Sequence, residues 1–250
     1  MGDELRTLQL PAVGFDELVA SVRFDDVTRG RRGAVLVKED ASGIPIVRTT
    51  TPYPSPAQRF GAVHDRLAHE IQRLAALPAL NNALIEHYTR AYSTMKRHSD
   101  QALDLADDSS IAVYSCYRDP SKPSRRLVVK PKDDRPAFDV LLAHGSVVVF
   151  SLDANRRFTH TIALTADAPD TDWLGVTLRS SKSFVRFVDG SPCLGGVPLM
   201  LATEEQRRDF FQLRRRENDE VEFRYPPIAY TISESDLQPP LPPLTAHAVA

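Results

Sequence analysis

Between Ser110 and Arg179 the chain is a succession of short β-type runs broken by turn-forming segments, and this limits the fold more than any other feature of its 250 residues. The runs are Ser110-Ile111-Ala112-Val113-Tyr114-Ser115-Cys116-Tyr117, Leu127-Val128-Val129-Lys130, Gly145-Ser146-Val147-Val148-Val149-Phe150, His160-Thr161-Ile162-Ala163-Leu164 and Leu174-Gly175-Val176-Thr177-Leu178-Arg179. They are rich in β-branched and aromatic residues and either alternate or run apolar. Many short strands at such spacing suggest a sandwich or jelly roll rather than a parallel sheet.

Upstream, Ala34-Val35-Leu36-Val37-Lys38 predicts a strand, and Gly43-Ile44-Pro45-Ile46-Val47-Arg48 a second, interrupted one. Pro52, Pro54 and Pro56 punctuate a loop. From Ala57 the period changes: Phe60, Val63, Leu67, Ile71 and Leu74 recur at helical spacing until Pro78, an amphipathic helix of about five turns. Ala83-Leu84-Ile85 leads into Tyr88 as a further strand. Thr203 to Glu217 predicts a second helix, with Thr203 as cap, Gln206 three residues on, and Phe210, Phe211 and Leu213 as packing residues. No internal repeat is present. The organisation expected is one domain over residues 1–238, divided into a β/helical extension (1–80), a catalytic core (81–190) and a C-terminal helix and strand (191–238). A Pro-rich tail, disordered or extended, follows at 239–250.

Composition narrows the class. A hydrophobic content of 42% and a charged content of 26% are those of an ordinary soluble globular protein. A net charge of −2 exerts no global pull toward nucleic acid or an anionic membrane, so such contacts need a local basic patch. Cys116 and Cys193 are too few and too far apart for a disulfide framework or zinc site and read as thiols in a reducing compartment. The start Met1-Gly2-Asp3-Glu4 lacks the form of a secretory signal, and no apolar run reaches transmembrane length. The expectation is an intracellular, soluble protein of the cytoplasm or nucleus, with no membrane partner and an oligomeric state the sequence leaves open.

The chemistry-bearing constellation is His98-Ser99-Asp100, followed about sixty residues later by His160 and then by Arg179 at the end of a strand-like run. Two imidazoles and one carboxylate supply three ligands to a metal and leave its other positions open, the facial triad of non-haem Fe(II) oxygenases. A lone His-x-Asp carries little weight, because an exposed loop histidine and a turn-forming aspartate give the same spacing. His160 competes with His144 and His87, and ranks first because it opens a strand directly after a turn. An Arg pointing into a barrel needs a partner, and a bidentate carboxylate is the natural one for Arg179. The alternative is a surface Arg at a strand end.

From Asn82 to about Arg179 the chain resembles the AlkB-like branch of Fe(II)/2-oxoglutarate dioxygenases. In that family a strand carrying Asn-x-Tyr precedes the metal loop, and Glu86-His87-Tyr88 stands there here. Leu142-Ala143-His144-Gly145-Ser146-Val147-Val148-Val149-Phe150 resembles the family's l-x-H-G-D-v-v-v strand, with Ser146 for Asp. Gly175-Val176-Thr177-Leu178-Arg179 resembles its N-l-T-f-R strand. The resemblance implies an α+β, mainly β fold with a double-stranded β-helix (jelly-roll) core and supporting helices. It also implies Fe(II) on His98, Asp100 and His160, with Tyr88, Thr177 and Arg179 binding 2-oxoglutarate. The activity it implies consumes O2 and 2-oxoglutarate, releases succinate and CO2, and hydroxylates or oxidatively demethylates a substrate. Two positions depart from the pattern. The family carries a second Arg six residues before the one matching Arg179, and Trp173 stands there, so Arg179 acts alone or with Lys182 or Arg186. The acidic base-contacting residue of its repair enzymes is replaced by Ala102, with Asp104 further on.

Basic residues cluster at Arg29-Gly30-Arg31-Arg32, at Arg125-Arg126 with Lys130 and Lys132, and at Arg214-Arg215-Arg216, where they suit phosphate contacts or, with acidic neighbours, solvated faces. Tyr92 and Tyr117 are placed either to stack on a base or to pack. A nucleic-acid base (DNA or RNA) stands slightly ahead of a small metabolite or a protein side chain as substrate. A non-catalytic jelly-roll binding module is the alternative of a different class.

Overall fold

A computed structural model describes residues 5–11 and 13–244. In chain order the first elements are β1 (Leu5–Gln9), α1 (Phe15–Ala20), β2 (Asp25–Thr28), β3 (Arg31–Val37), β4 (Ile44–Pro45), β5 (Gln58–Arg59) and α2 (Ala62–Ala75). The core follows with β6 (Asn82–Tyr88), β7 (Ser110–Tyr117), β8 (Arg125–Pro131), β9 (Phe138–Leu141), β10 (Ser146–Ser151), α3 (Leu152–Arg157), β11 (Phe158–Leu164) and β12 (Trp173–Arg179). The C-terminal part holds β13 (Phe184–Val188), β14 (Ser191–Leu194), β15 (Val197–Pro198), β16 (Met200–Leu201), α4 (Glu204–Asp219) and β17 (Tyr230–Thr231).

Two antiparallel sheets face each other. The large one runs β1-β10-β7-β12-β6-β3-β2, with β5 added beside β3. The small one runs β11-β8-β9, and the segment around Thr94 to His98 extends it by bridging to β11. From β6 onward the chain alternates between them: β6 large, 94–98 small, β7 large, β8 and β9 small, β10 large, β11 small, β12 large. This is the double-stranded β-helix, or jelly roll, and the mainly β fold class expected from the sequence holds.

Strand alternation divides the side chains into two cores. One face of the large sheet, with Ile85, Ala112, Tyr114, Val149, Leu174, Val176 and Leu178, packs against α1 and α2. On α2 the stripe Val63, Leu67 and Ile71 makes that contact, as the helical spacing predicts. The opposite face, with Tyr88, Val113, Tyr117, Val148 and Trp173, meets Leu127, Val129, Phe158 and Ile162 of the small sheet inside the barrel.

Several expectations are revised. The first long helix starts at Ala62 rather than Ala57, because Gln58 and Arg59 pair with β3 instead, and the Gln58 amide exchanges hydrogen bonds with the Arg23 backbone at 2.8 and 2.9 Å. The second helix has the predicted Thr203/Gln206 capping box, but Phe211 is exposed and only Phe210 of the three packing residues is buried. The segment Gly43–Arg48 yields only the two-residue β4, since Arg48 turns inward to a buried ion pair with Asp104 at 2.7 Å. In the tail, the Leu241 N–H donates to the Ala57 carbonyl at 2.8 Å, so the chain there is extended and paired; residues 245–250 lie outside those described. Among the described residues no helix is long and apolar enough to cross a membrane.

Candidate metal centre

Strand pairing sets His98 and His160 face to face. The His98 N–H donates to the His160 carbonyl at 2.9 Å, and the His160 N–H donates to the His98 carbonyl at 2.6 Å. Residues opposed in this way project to one face, and the two ring centroids lie 4.7 Å apart. Asp100 Oδ1 lies 3.8 Å from His98 Nε2 and 3.5 Å from His160 Nε2. One ligand atom from each of the three falls within 4.8 Å of the others, the one such cluster among the described residues.

Asp100 is held at both ends. Its backbone N–H donates to Asn155 Oδ1 at 2.8 Å, and Asn155 Nδ2 donates to its carbonyl at 2.7 Å. Asn155 projects from α3, whose N-cap Ser151 accepts from the Ala154 N–H. Arg179 donates from Nε and Nη2 to Asp100 Oδ2 at 2.9 and 2.7 Å. The other carboxylate oxygen, Oδ1, is thereby left facing the imidazoles. Arg179 reaches this position because β12 turns Leu174, Val176 and Leu178 toward the helices and Trp173, Thr177 and Arg179 into the barrel.

A second clamp comes from α4. Arg214, Glu217 and Asn218 occupy one face of that helix. Asn218 Oδ1 accepts from the Ser99 N–H at 2.9 Å, Glu217 Oε1 accepts from the Ala102 N–H at 2.8 Å, and Arg214 donates to both the Ser99 carbonyl and Glu217. Sequence reasoning missed Asn155, Glu217 and Asn218, and took Arg214 for part of a basic cluster. The available signal was the position of Arg214 and Glu217 one turn apart, in line with Phe210 on the buried stripe of α4.

The electrostatics suit metal ligation. Burial, then the neighbouring His160, pushes the His98 imidazole down to about 3. Burial alone would raise the Asp100 carboxyl, but Arg179 and the two imidazoles outweigh it and hold it well below the usual range. At neutral pH the centre therefore offers the lone-pair-bearing His98 imidazole and the Asp100 carboxylate in the forms a divalent metal binds.

A cavity of about 90 Å³ opens from the triad, walled by Thr177, Arg179, Leu127, Ile162, Arg31 and Glu86 among others. Tyr88 is fully buried, and its hydroxyl donates to Glu86 Oε2 at 2.8 Å, while Arg31 pairs with Glu86 Oε1 at 2.6 Å. Neither suggested helper of Arg179 comes near it: Lys182 reaches Asp107, and Arg186 reaches the Ala41 and Ser42 carbonyls. His144 accepts from the Tyr117 N–H, and His87 packs against Phe15 and Phe24 on the other face of the large sheet. Asp104 is enclosed by Arg48, Tyr117 is fully buried, and the Tyr92 ring packs against Tyr88 with centroids 4.7 Å apart. Cys116 and Cys193 are free thiols, and burial pushes Cys116 up to about 11.

Fold and site together define a double-stranded β-helix protein with a two-histidine, one-carboxylate constellation inside its barrel. No protein-family model and no curated protein matches the sequence. Solved structures similar to it include a 2OG-Fe(II) oxygenase family oxidoreductase from Burkholderia pseudomallei, at 16% identity over 70% of this chain and 84% of that one, with a TM-score of 0.45. OsALKBH1 matches at 14% identity over 60% and 78%, with a TM-score of 0.43. A Pseudomonas putida prolyl-4-hydroxylase matches at 14% identity over 71% and 92%, with a TM-score of 0.42. These are distant likenesses, and the fold assignment stands on the strand order itself.

Proposed function

We propose that the protein is an Fe(II)- and 2-oxoglutarate-dependent oxygenase that hydroxylates or oxidatively demethylates its substrate. The observation that carries this reading is the convergence of His98, Asp100 and His160 with Asp100 Oδ1 left unclaimed by Arg179. The donor set fits the metal: two imidazole nitrogens and one carboxylate oxygen on one side leave positions for a keto acid and O2. Bound together, iron, the keto acid and O2 supply the oxidising power to attack a C–H bond, with succinate and CO2 as co-products. The chain's own residues orient and enclose. Asn155 and Arg179 fix the carboxylate, α4 fixes the loop that carries His98, and Val113, Leu127 and Ile162 give the cavity apolar walls that exclude water.

Within this reading we place a nucleic-acid base ahead of a metabolite or protein side chain, as in an AlkB-like enzyme. The support is a surface groove lined by Arg97, Lys130, Lys132 and Arg215 together with Asp133, Asp134 and Asp219, to which Arg97 and Thr159 contribute as the chain neighbours of His98 and His160. The other basic clusters add little to an anion-binding face, since Arg31, Arg125 and Arg214 are turned inward and Arg126 and Arg216 pair with Asp139 and Glu220.

The test is succinate release from anaerobically iron-loaded protein given 2-oxoglutarate and O2, for the wild type and His98→Ala. Release by the wild type that is lost in the variant is expected. A wild type that binds neither iron nor 2-oxoglutarate overturns the reading in favour of a non-catalytic binding module. Affinity for an oligonucleotide that falls steeply with salt separates a nucleic-acid substrate from a metabolite.

A further inference from the structure

Among the described residues, Arg125 is a guanidinium enclosed in the barrel with no carboxylate partner. Arg48 pairs with Asp104, Arg179 with Asp100, Arg214 with Glu217 and Arg31 with Glu86. Arg125, at the start of β8, is 1% exposed and has no such partner. Its Nη2 donates to the Thr89 and Tyr92 carbonyls at 2.9 and 2.8 Å. Its guanidinium carbon lies 5.0 Å from the Tyr88 ring centroid and 5.8 Å from that of Trp173. Nε and Nη1 have no hydrogen-bond partner. An Arg side chain cannot shed its proton, and burying an ion without a counter-ion is strongly unfavourable.

The unpartnered atoms around it are of one kind. Ser124 Oγ, Ser115 Oγ and Trp173 Nε1 are also buried without partners. Ser124 adjoins Arg125, Ser115 lies opposite Gly175 on β12, and Trp173 lies opposite both Tyr88 and Tyr117. All of them can donate, so this end of the barrel is furnished for a ligand that only accepts, which is the character of a carboxylate. Its position relative to the metal ligands follows from the ladder. His160 pairs with Val129, Ile162 with Leu127 and Leu164 with Arg125, while Leu127 and Ile162 wall the cavity that opens from the triad. Arg125 therefore lies along the same line of side chains, its backbone about 13 Å from the His160 level.

We propose that Arg125, rather than Arg179, is the seat of the distal carboxylate of the keto-acid co-substrate. This rests on the oxygenase reading above. Arg179 spends its fork on Asp100, and Trp173 stands where the resembling family carries its second Arg, so Arg125 supplies from β8 the charge that β12 lacks. The ligand class is a short dicarboxylate with a 2-oxo group at the metal end.

The chain has a single tryptophan, Trp173, and its fluorescence reports on the Arg125 site without turnover. The experiment titrates 2-oxoglutarate and 2-oxopentanoate, which lacks the distal carboxylate, into anaerobic Fe(II)-loaded protein. The wild type is expected to bind 2-oxoglutarate at least about tenfold more tightly than the monoacid. Arg125→Gln is expected to lose that preference with monoacid binding unchanged, and Lys182→Met, whose side chain reaches Asp107 away from the centre, to keep it. The proposal is overturned if Arg125→Gln binds 2-oxoglutarate within about twofold of the wild type, or if the preference disappears in Lys182→Met instead. Either result leaves the co-substrate reading standing. A wild type that binds Fe(II) but shows no saturable response to 2-oxoglutarate removes the reading and the proposal together. Should the Gln variant fail to fold, Arg125→Lys, which keeps the charge but not the fork, is expected to show a clearly reduced preference; full wild-type preference in it overturns the proposal.

Discussion

Replacing Asn155 by alanine strips two hydrogen bonds from the backbone of Asp100 without replacing any of the three proposed metal ligands. The Asp100 N–H loses its acceptor at 2.8 Å and the Asp100 carbonyl loses its donor at 2.7 Å. Asn155 and Asp100 are 2% and 6% exposed, so water enters only if the loop opens. A buried backbone group left unsatisfied costs about 1–3 kcal/mol, and two of them together about 2–4 kcal/mol once local relaxation is allowed. For a chain of this size that corresponds to a drop in Tm of roughly 4–16 °C. The same loss frees the Asp100 carboxylate to swing about Arg179, and removal of a group that orients a ligand typically weakens metal binding by about tenfold to a hundredfold. The assay pairs thermal unfolding of the apoprotein with an anaerobic Fe(II) titration. Asn155→Asp is the informative control, since it keeps the acceptor for the N–H but sets a carboxylate oxygen against the Asp100 carbonyl, and should be no better than alanine. If Asn155→Ala retained the Tm to within about a degree and the metal affinity to within about twofold, the claim that α3 positions the ligand would be wrong.

Two further outcomes are expected. A Cβ at Gly175 would overlap Trp173 Cη2, so Gly175→Ala should displace the indole, destabilise by about 1–3 kcal/mol and shift the tryptophan emission; an unchanged emission spectrum contradicts the packing described. His64, on the face of α2 turned toward the sheet, accepts from the Gly61 N–H through Nδ1 at 2.9 Å, and burial pushes its imidazole down to about 4. A depressed histidine favours the folded state while neutral, so its contribution of about 3 kcal/mol is present above the unfolded value of about 6.5 and is lost as pH falls toward about 4. Stability measured against pH should therefore flatten over that window in His64→Gln, and a parallel profile for the two proteins counts against this.

The strands that build the barrel were legible in the sequence because their cause is local. Alternation of β-branched and apolar residues over Ser110–Tyr117 and Leu174–Arg179 already states which side chains share a face, and the Thr203/Gln206 box marks a helix start within four residues of chain. The spacing of His98 and Asp100 is equally local, and the pair was singled out on that ground. What tertiary structure alone decided is partnership across distance. His160 ranks ahead of His144 and His87 in the sequence only because it opens a strand after a turn, and the register that lays 94–98 against β11 is what brings it to His98. Arg179 was expected to face a co-substrate, but its fork closes on Asp100, a residue 79 positions away. Likewise Arg125 and Arg214 read alike in the sequence as members of basic clusters, yet one is matched by Glu217 and the other is buried without a carboxylate. A charged side chain is soluble in any extended chain. Whether it ends as a solvated surface group, a neutralised clamp or a waiting anion site depends on what the sheets carry to it, and that is a property of register and packing rather than of neighbouring residues.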